Sequence, residues 1–181
     1  MRTLTKHAAV SLAGTASLIA GLALWPSVAA ADSAQGGPPH RTVLEGSFVS
    51  DREEEAFVDN DGNALPSLGD VLVYTNTSTG TLGDATDYGS CVFHRVDLTA
   101  SSATLNCTVT TETAHGSLTH QGTARVGITS PVLLQPATWT ITGGTGEFSG
   151  AEGEVHLARF EGAGLDFRTF GTIRVVLGRV T

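Results

Sequence analysis

The sequence predicts an all-β domain of about eight strands, a β-barrel or a sandwich, and three observations carry that expectation. The 150 residues from Asp32 onward hold 20 Gly and 22 Thr, a composition poor in helix formers and rich in turn and strand formers. No stretch sustains a helical period over three turns, whereas about eight short β-rich stretches recur at regular spacing with turn chemistry between them. At this length one domain buries enough surface for a single core without extra staples.

The chain has 181 residues, and the first thirty do not read like the rest. Arg2 and Lys6 precede an uncharged, small-residue run from Ala8 to Leu24, which Trp25 and Pro26 break. Ser27-Val28-Ala29-Ala30-Ala31 then offers small residues for cleavage near Ala30 or Ala31, so residues 1–31 read as a secretory signal peptide and the product as extracellular. Residues 32–41, rich in Gly, Pro and small polar side chains, read as a flexible lead-in. The domain is expected over 42–181. With 8 Arg, no Lys and 18 Asp plus Glu, the remainder carries a formal charge of −10. That balance disfavours nucleic acid and anionic membranes, whose affinity rests on Lys and Arg neutralising phosphate.

Thr42 to Val49 opens the domain with a β-rich apolar pattern. Within the acidic stretch Asp51-Arg52-Glu53-Glu54-Glu55, Glu53 to Glu55 read as a solvated rim, and Asp59-Asn60-Asp61-Gly62-Asn63 reads as a turn whose Gly sits wrongly for a calcium loop. Gly69 to Thr77 is the first clear strand, with Leu72, Tyr74 and Asn76 on one face and Val71, Val73 and Thr75 on the other. A Gly- and Thr-rich turn is expected from Ser78 to Tyr88. Cys91 to Leu98 and Ala103 to Thr110 flank a turn at residues 99–102, and a hairpin pairing about Thr99 sets Cys91 opposite Cys107. An exported chain makes a structural disulfide between them the expectation. Further strands are expected at Gly116 to Val126, Val132 to Thr142, Gly153 to Phe160 and Leu165 to Leu177.

The stretch from Ile141 to Gly153, Ile-Thr-Gly-Gly-Thr-Gly-Glu-Phe-Ser-Gly-Ala-Glu-Gly, fails as a phosphate cradle because its glycine spacing is wrong and a strand follows it. It resembles instead the signature of the allene oxide cyclase barrel-like superfamily, which includes the dirigent proteins. Leu68-Gly69-Asp70-Val71-Leu72-Val73-Tyr74-Thr75-Asn76 is similar to a second block of that family and Gly89-Ser90-Cys91-Val92 to a third, in the family's order. The resemblance implies an eight-stranded barrel with a mostly apolar lumen, a homodimeric or homotrimeric assembly, and no cofactor. It also implies a cyclase-like isomerase that confines a reactive apolar molecule. Asn76 matches the family's strand Asn and Cys91 its lumenal Cys. Glu45 is an approximate counterpart, one position out of register, of its acidic residue. Phe48 and Glu55 stand where the family has a second Asn and a Pro.

The catalytic candidates are therefore Asn76 and Glu45, and the ligand-binding candidates Tyr74 and Leu72. The blander roles for Asn76 and Tyr74 are a hydrogen-bonded core amide and a packed ring. No metal site is expected. His115 and His120, five apart, point to opposite strand faces, and His94 and His156 stand alone on theirs, so each reads as a solvated or partner-facing side chain. Two functions remain: an isomerase steering ring closure or coupling of an apolar substrate, or a non-catalytic barrel that binds a hydrophobic ligand or a protein partner.

Overall fold

A computed structural model describes residues 41–178 except Ala64, Ser130, Pro131, Gly164 and Leu165. The predicted leader and nearly all of the lead-in lie outside the described residues. Eight strands follow in order: β1 (Thr42–Val58), β2 (Val71–Gly80), β3 (Ala85–Asp97), β4 (Ser102–Thr113), β5 (Gly116–Gly127), β6 (Ala137–Gly144), β7 (Ala151–Ala163) and β8 (Asp166–Leu177). Each pairs antiparallel with the next, and β8 returns to β1, closing the barrel. The predicted class and strand count are those observed. Closure leaves no unpaired sheet edge, and the alternation of each strand sends every second side chain into the lumen.

The reason this sequence closes in this register lies in its interior positions. Leu118, Val155 and Val175 are completely or almost completely buried, and with Leu105, Val109, Ile141 and Leu157 they form one continuous apolar core. Burial of each such side chain stabilises the fold by about 1.5–3 kcal/mol. Thr fills many outward positions, where its β-branch suits an extended chain and its hydroxyl meets water.

Two expectations about the elements are corrected. Most of the predicted Ser78–Tyr88 turn is strand: β2 runs on to Gly80 and β3 begins at Ala85, leaving a connection of four residues. Nor is all of the Glu53–Glu55 run a solvated rim: Glu53 and Glu54 are exposed, but Glu55 lines the lumen. β1 continues through the run with a bulge at Glu53, since Arg52 pairs with Asn76 and Glu54 with Thr75. The extra residue reverses the in–out parity of everything after it. Ser50 and Arg52 face the lumen before the bulge, Glu55 and Phe57 after it.

Cys91 and Cys107 are directly paired across β3 and β4 and joined by a disulfide, as the hairpin register required. The bond is compatible with an extracellular protein. Replacing both cysteines by Ala is expected to lower the unfolding free energy by about 3 kcal/mol on the loop-closure estimate. Urea unfolding of the two proteins side by side measures it. A loss below about 1 kcal/mol would mean that β3 and β4 hold their register without the bond.

Candidate functional site

The lumen holds a cavity of about 480 Å³ whose wall changes character along the barrel. Toward the end carrying the β1–β2 and β5–β6 connections it is apolar, with Phe57, Leu72, Phe93, Leu105 and Val126 and the disulfide in the wall. The Phe57 and Phe93 rings meet edge to face, with centroids 5.8 Å apart. Toward the other end, Ser50, Asn76, Ser78, Asp87, Thr111 and His120 form a polar layer. Phe148 lies buried in the cavity wall beyond it. It sits on a single 3₁₀ turn (Gly146–Phe148) inside the Ile141–Gly153 stretch, so that glycine-rich connection helps close one end of the chamber.

Asp87 organises the polar layer. The hydroxyls of Ser50 (2.7 Å) and Ser78 donate to its Oδ2, and that of Thr111 donates to Oδ1 at 2.7 Å. The Oγ atoms of Ser50 and Ser78 are 2.5 Å apart, and the Asn76 amide Nδ2 donates to Ser50 Oγ at 3.4 Å. His120 Nε2 lies 3.2 Å from Thr111 Oγ1, and its ring tilts against Trp139 with centroids 5.8 Å apart. Asn76 Oδ1 and His120 Nδ1 are buried with no hydrogen-bond partner among the described residues. Buried polar atoms are seldom left so, because the desolvation cost is then uncompensated.

Between the two ends, Arg52 bonds Glu55, and its guanidinium lies 4.1 Å over the Tyr74 ring. Both members of the ion pair are largely buried, with side-chain exposures of 6% and 13%. Desolvation lowers the Arg52 pKa and raises that of Glu55, while the pairing opposes both shifts. Burial pushes the Tyr74 hydroxyl well up, so it remains a protonated donor. Tyr74 lies flat across Gly89, where a Cβ would sit 2.0 Å from Cζ, and Trp139 lies likewise across Gly122. These two glycines let aromatic rings line the wall instead of filling the lumen.

The His120 pKa falls to about 4 from 6.5 because the ring is buried, a shift that Asp87 only partly offsets. Between pH 6.5 and 4 the unfolded chain binds a proton that the folded ring refuses, so stability is lost as pH falls through that window. Wild type is expected to lose about 2 kcal/mol more than His120→Gln between pH 7 and pH 4.5 in urea unfolding. Equal losses would mean that the ring is solvated.

Of the residues singled out in sequence, Asn76, Tyr74 and Leu72 line the cavity, and so do Cys91 and Cys107. Glu45 does not. Its side chain is 66% exposed on the outer face and paired to Arg174 at 3.0 Å, because inward parity in this part of β1 falls on Phe48 and Ser50. The solvated role expected of His120 is corrected as well. Its parity on β5 with Leu118, Ala124 and Val126 was the available signal. Asp87 escapes sequence reasoning because the Gly and Thr around it make its segment read as a turn, and Arg52 and Glu55 escape it because a bulge leaves no mark in the alternation. Away from the lumen, Asp59, Asp61 and Asp70 bring carboxylate oxygens within 4.8 Å of one another. Asp70 accepts bonds from the Asn60 and Ser67 backbone N–H groups and from the Ser67 hydroxyl, which hold its pKa down. The trio is accounted for as turn chemistry.

No family model matches the chain, and no curated protein matches it. Among solved structures it is similar to a pyocyanin demethylase, at 20% identity and TM-score 0.54 over 73% of this chain and 99% of the other. It is also similar to a pterocarpan synthase dirigent protein, at 17% identity and TM-score 0.54 over 75% and 94%. A third similarity is to an exo-specific intermolecular Diels-Alderase, at 10% identity and TM-score 0.52 over 76% and 99%. The fold is similar to that of these dirigent and Diels-Alderase barrels.

Proposed function

We propose that this barrel is an exported chamber that binds a reactive apolar small molecule and steers its ring closure or rearrangement without a redox cofactor. The observation that carries the reading is one cavity with an apolar end and a layer of buried polar groups, among them acceptors that the protein leaves unpaired. A carrier of pure hydrocarbon would gain nothing from Asn76 Oδ1 and His120 Nδ1 and would bear their desolvation cost. Confinement in such a space selects a folded conformer of the substrate, which is where most of the rate and stereochemical control of a unimolecular closure can arise. Arg52 and the Tyr74 hydroxyl are donors suited to an oxygen that gains negative charge as the ring forms, and Asn76 Oδ1 suits a substrate donor. The named neighbours include a Diels-Alderase and a dirigent synthase, which supports this class of chemistry.

A linear triene ketone that cyclises unaided in water to a racemate supplies the test. Wild-type protein is expected to return an excess of one enantiomer. Ala124→Trp, which sets an indole in the lumen, is expected to return the racemate, with circular dichroism confirming that the variant is folded. Asn76→Ala is expected to slow selective turnover by about tenfold while retaining ligand-induced thermal stabilisation, since one hydrogen bond is lost and the apolar wall is not. A racemic product from wild type that still binds the ketone would sink the catalytic reading and leave a secreted binding barrel.

A further inference from the structure

The hydroxyl chemistry of the polar layer fixes the protonation state of His120. Thr111 has one hydroxyl proton, and its Oγ1 stands 2.7 Å from Asp87 Oδ1, an oxygen that can only accept. The proton therefore lies on that bond. Thr111 Oγ1 can then meet His120 Nε2 at 3.2 Å only as an acceptor, so Nε2 carries the imidazole hydrogen. The tautomer follows: Nδ1 holds a bare lone pair, buried in the cavity wall with no hydrogen-bond partner among the described residues. Asn76 Oδ1, in the same polar layer, is a second unpartnered acceptor. Both open positions in this layer ask for a hydrogen that the protein does not supply.

We infer that His120 Nδ1 is the lumen's proton acceptor, held in that state by the Thr111–Asp87 relay, and that the chamber's ligand is an apolar molecule bearing an acidic O–H, a phenol or an enol. The inference rests on the reading of the lumen as a ligand chamber and adds the group that the ligand must carry. In the step it implies, the ligand O–H bond breaks, an N–H bond forms at Nδ1, and the electron pair stays on the ligand oxygen, whose negative charge beside the ring offsets the burial that keeps the free imidazole neutral. The imidazolium so formed points its Nε2–H through Thr111 at the Asp87 carboxylate, which opposes the new charge. The proton returns to the product at the end of an isomerisation, so no oxidant or reductant is needed. Thr111 and Asp87 are positioning residues in this scheme. The other ionisable groups lining the cavity are Arg52 and Glu55, already paired with each other, and Tyr74.

The test uses the whole protein, labelled with ¹⁵N-histidine, and three probes of one shape: 2-naphthol, 2-methoxynaphthalene and naphthalene. Imidazole nitrogen shifts of the free protein are expected to show His120 as the Nε2–H tautomer, and Thr111→Val to give a mixture of tautomers with the fold retained. Calorimetric titration is expected to show 2-naphthol binding about tenfold more tightly than 2-methoxynaphthalene, a preference lost in His120→Phe. An Nδ1–H tautomer in wild type would overturn the proposal, as would equal affinity for all three probes. In the latter case the chamber reading survives. Failure of all three to bind would overturn the chamber reading and the proposal together.

Discussion

Arg52→Ala is expected to lower the unfolding free energy by about 3 kcal/mol, and Arg52→Met with Glu55→Leu to restore most of it. The single change leaves the Glu55 carboxylate largely buried without its partner, and breaking one side of a buried pair characteristically costs about 3–5 kcal/mol. The lower end applies because the lumen can admit water to the exposed carboxylate. It also removes the guanidinium from the face of Tyr74, a smaller loss. The sign of the pH dependence follows from Glu55. Burial raises its pKa above the ordinary 4.5, so the folded state resists ionisation that the unfolded chain accepts, and stability falls as pH rises through that interval. Without Arg52 the opposing attraction is gone and the interval extends upward. The penalty of Arg52→Ala is therefore smallest near pH 4.5 and larger at pH 8. Urea unfolding at both values measures it, and the paired replacement completes the cycle. A cost below about 1 kcal/mol at pH 8 would show that lumenal water solvates Glu55 freely. The paired variant, stable but with an apolar middle to its cavity, is then the control for whether Arg52 serves folding or the ligand.

What could be read from sequence, and what could not, divides along the same strand. Alternation in β2 put Leu72, Tyr74 and Asn76 on one face, and they line the lumen together, because period two is the geometry of an unbroken strand. The Cys91–Cys107 bond followed from pairing about one turn, for local hairpins fix their own register. Arg52 and Glu55 defeated the same reasoning. They are three apart, so alternation places them on opposite faces, and only the bulge at Glu53 turns both inward. Charge misled too, since a run of acids reads as solvated until one of them has a buried cation. Asp87 shows a third kind of miss. Gly and Thr around it suggest a turn, yet the strand is imposed by its neighbours, as Asp87 pairs with Asn76 on one side and Thr111 on the other. Its worth to the site lies in donors from β1, β2 and β4, a convergence that only closure of the barrel creates.

Within the glycine-rich Ile141–Gly153 stretch, alanine substitutions are expected to separate by cause, and Gly153→Ala is expected to be the most damaging, at more than about 3 kcal/mol. Gly153 has φ +138, and a Cβ there would lie 2.0 Å from the Arg174 carbonyl oxygen and 3.3 Å from Val175 Cα. The obstacle is backbone of β8 paired across from it, which cannot move aside without breaking the ladder next to Val175, a fully buried residue. Conformational strain and overpacking therefore add. Gly150 also has a positive φ, +71, but nothing lies within 4 Å of where a Cβ would stand. Only the left-handed strain remains, and Gly150→Ala is expected to cost about 1 kcal/mol. Gly146, with φ +60 and a Cβ 2.4 Å from the His115 carbonyl oxygen, should fall between them, because its obstacle belongs to the short β4–β5 connection and has room to shift. Thermal or urea unfolding of the three variants gives the order. If Gly150→Ala were as costly as Gly153→Ala, positive φ alone would account for the motif. The predicted spread says instead that its last glycine is there to let β7 and β8 close on each other at the end of the barrel that Phe148 helps to seal.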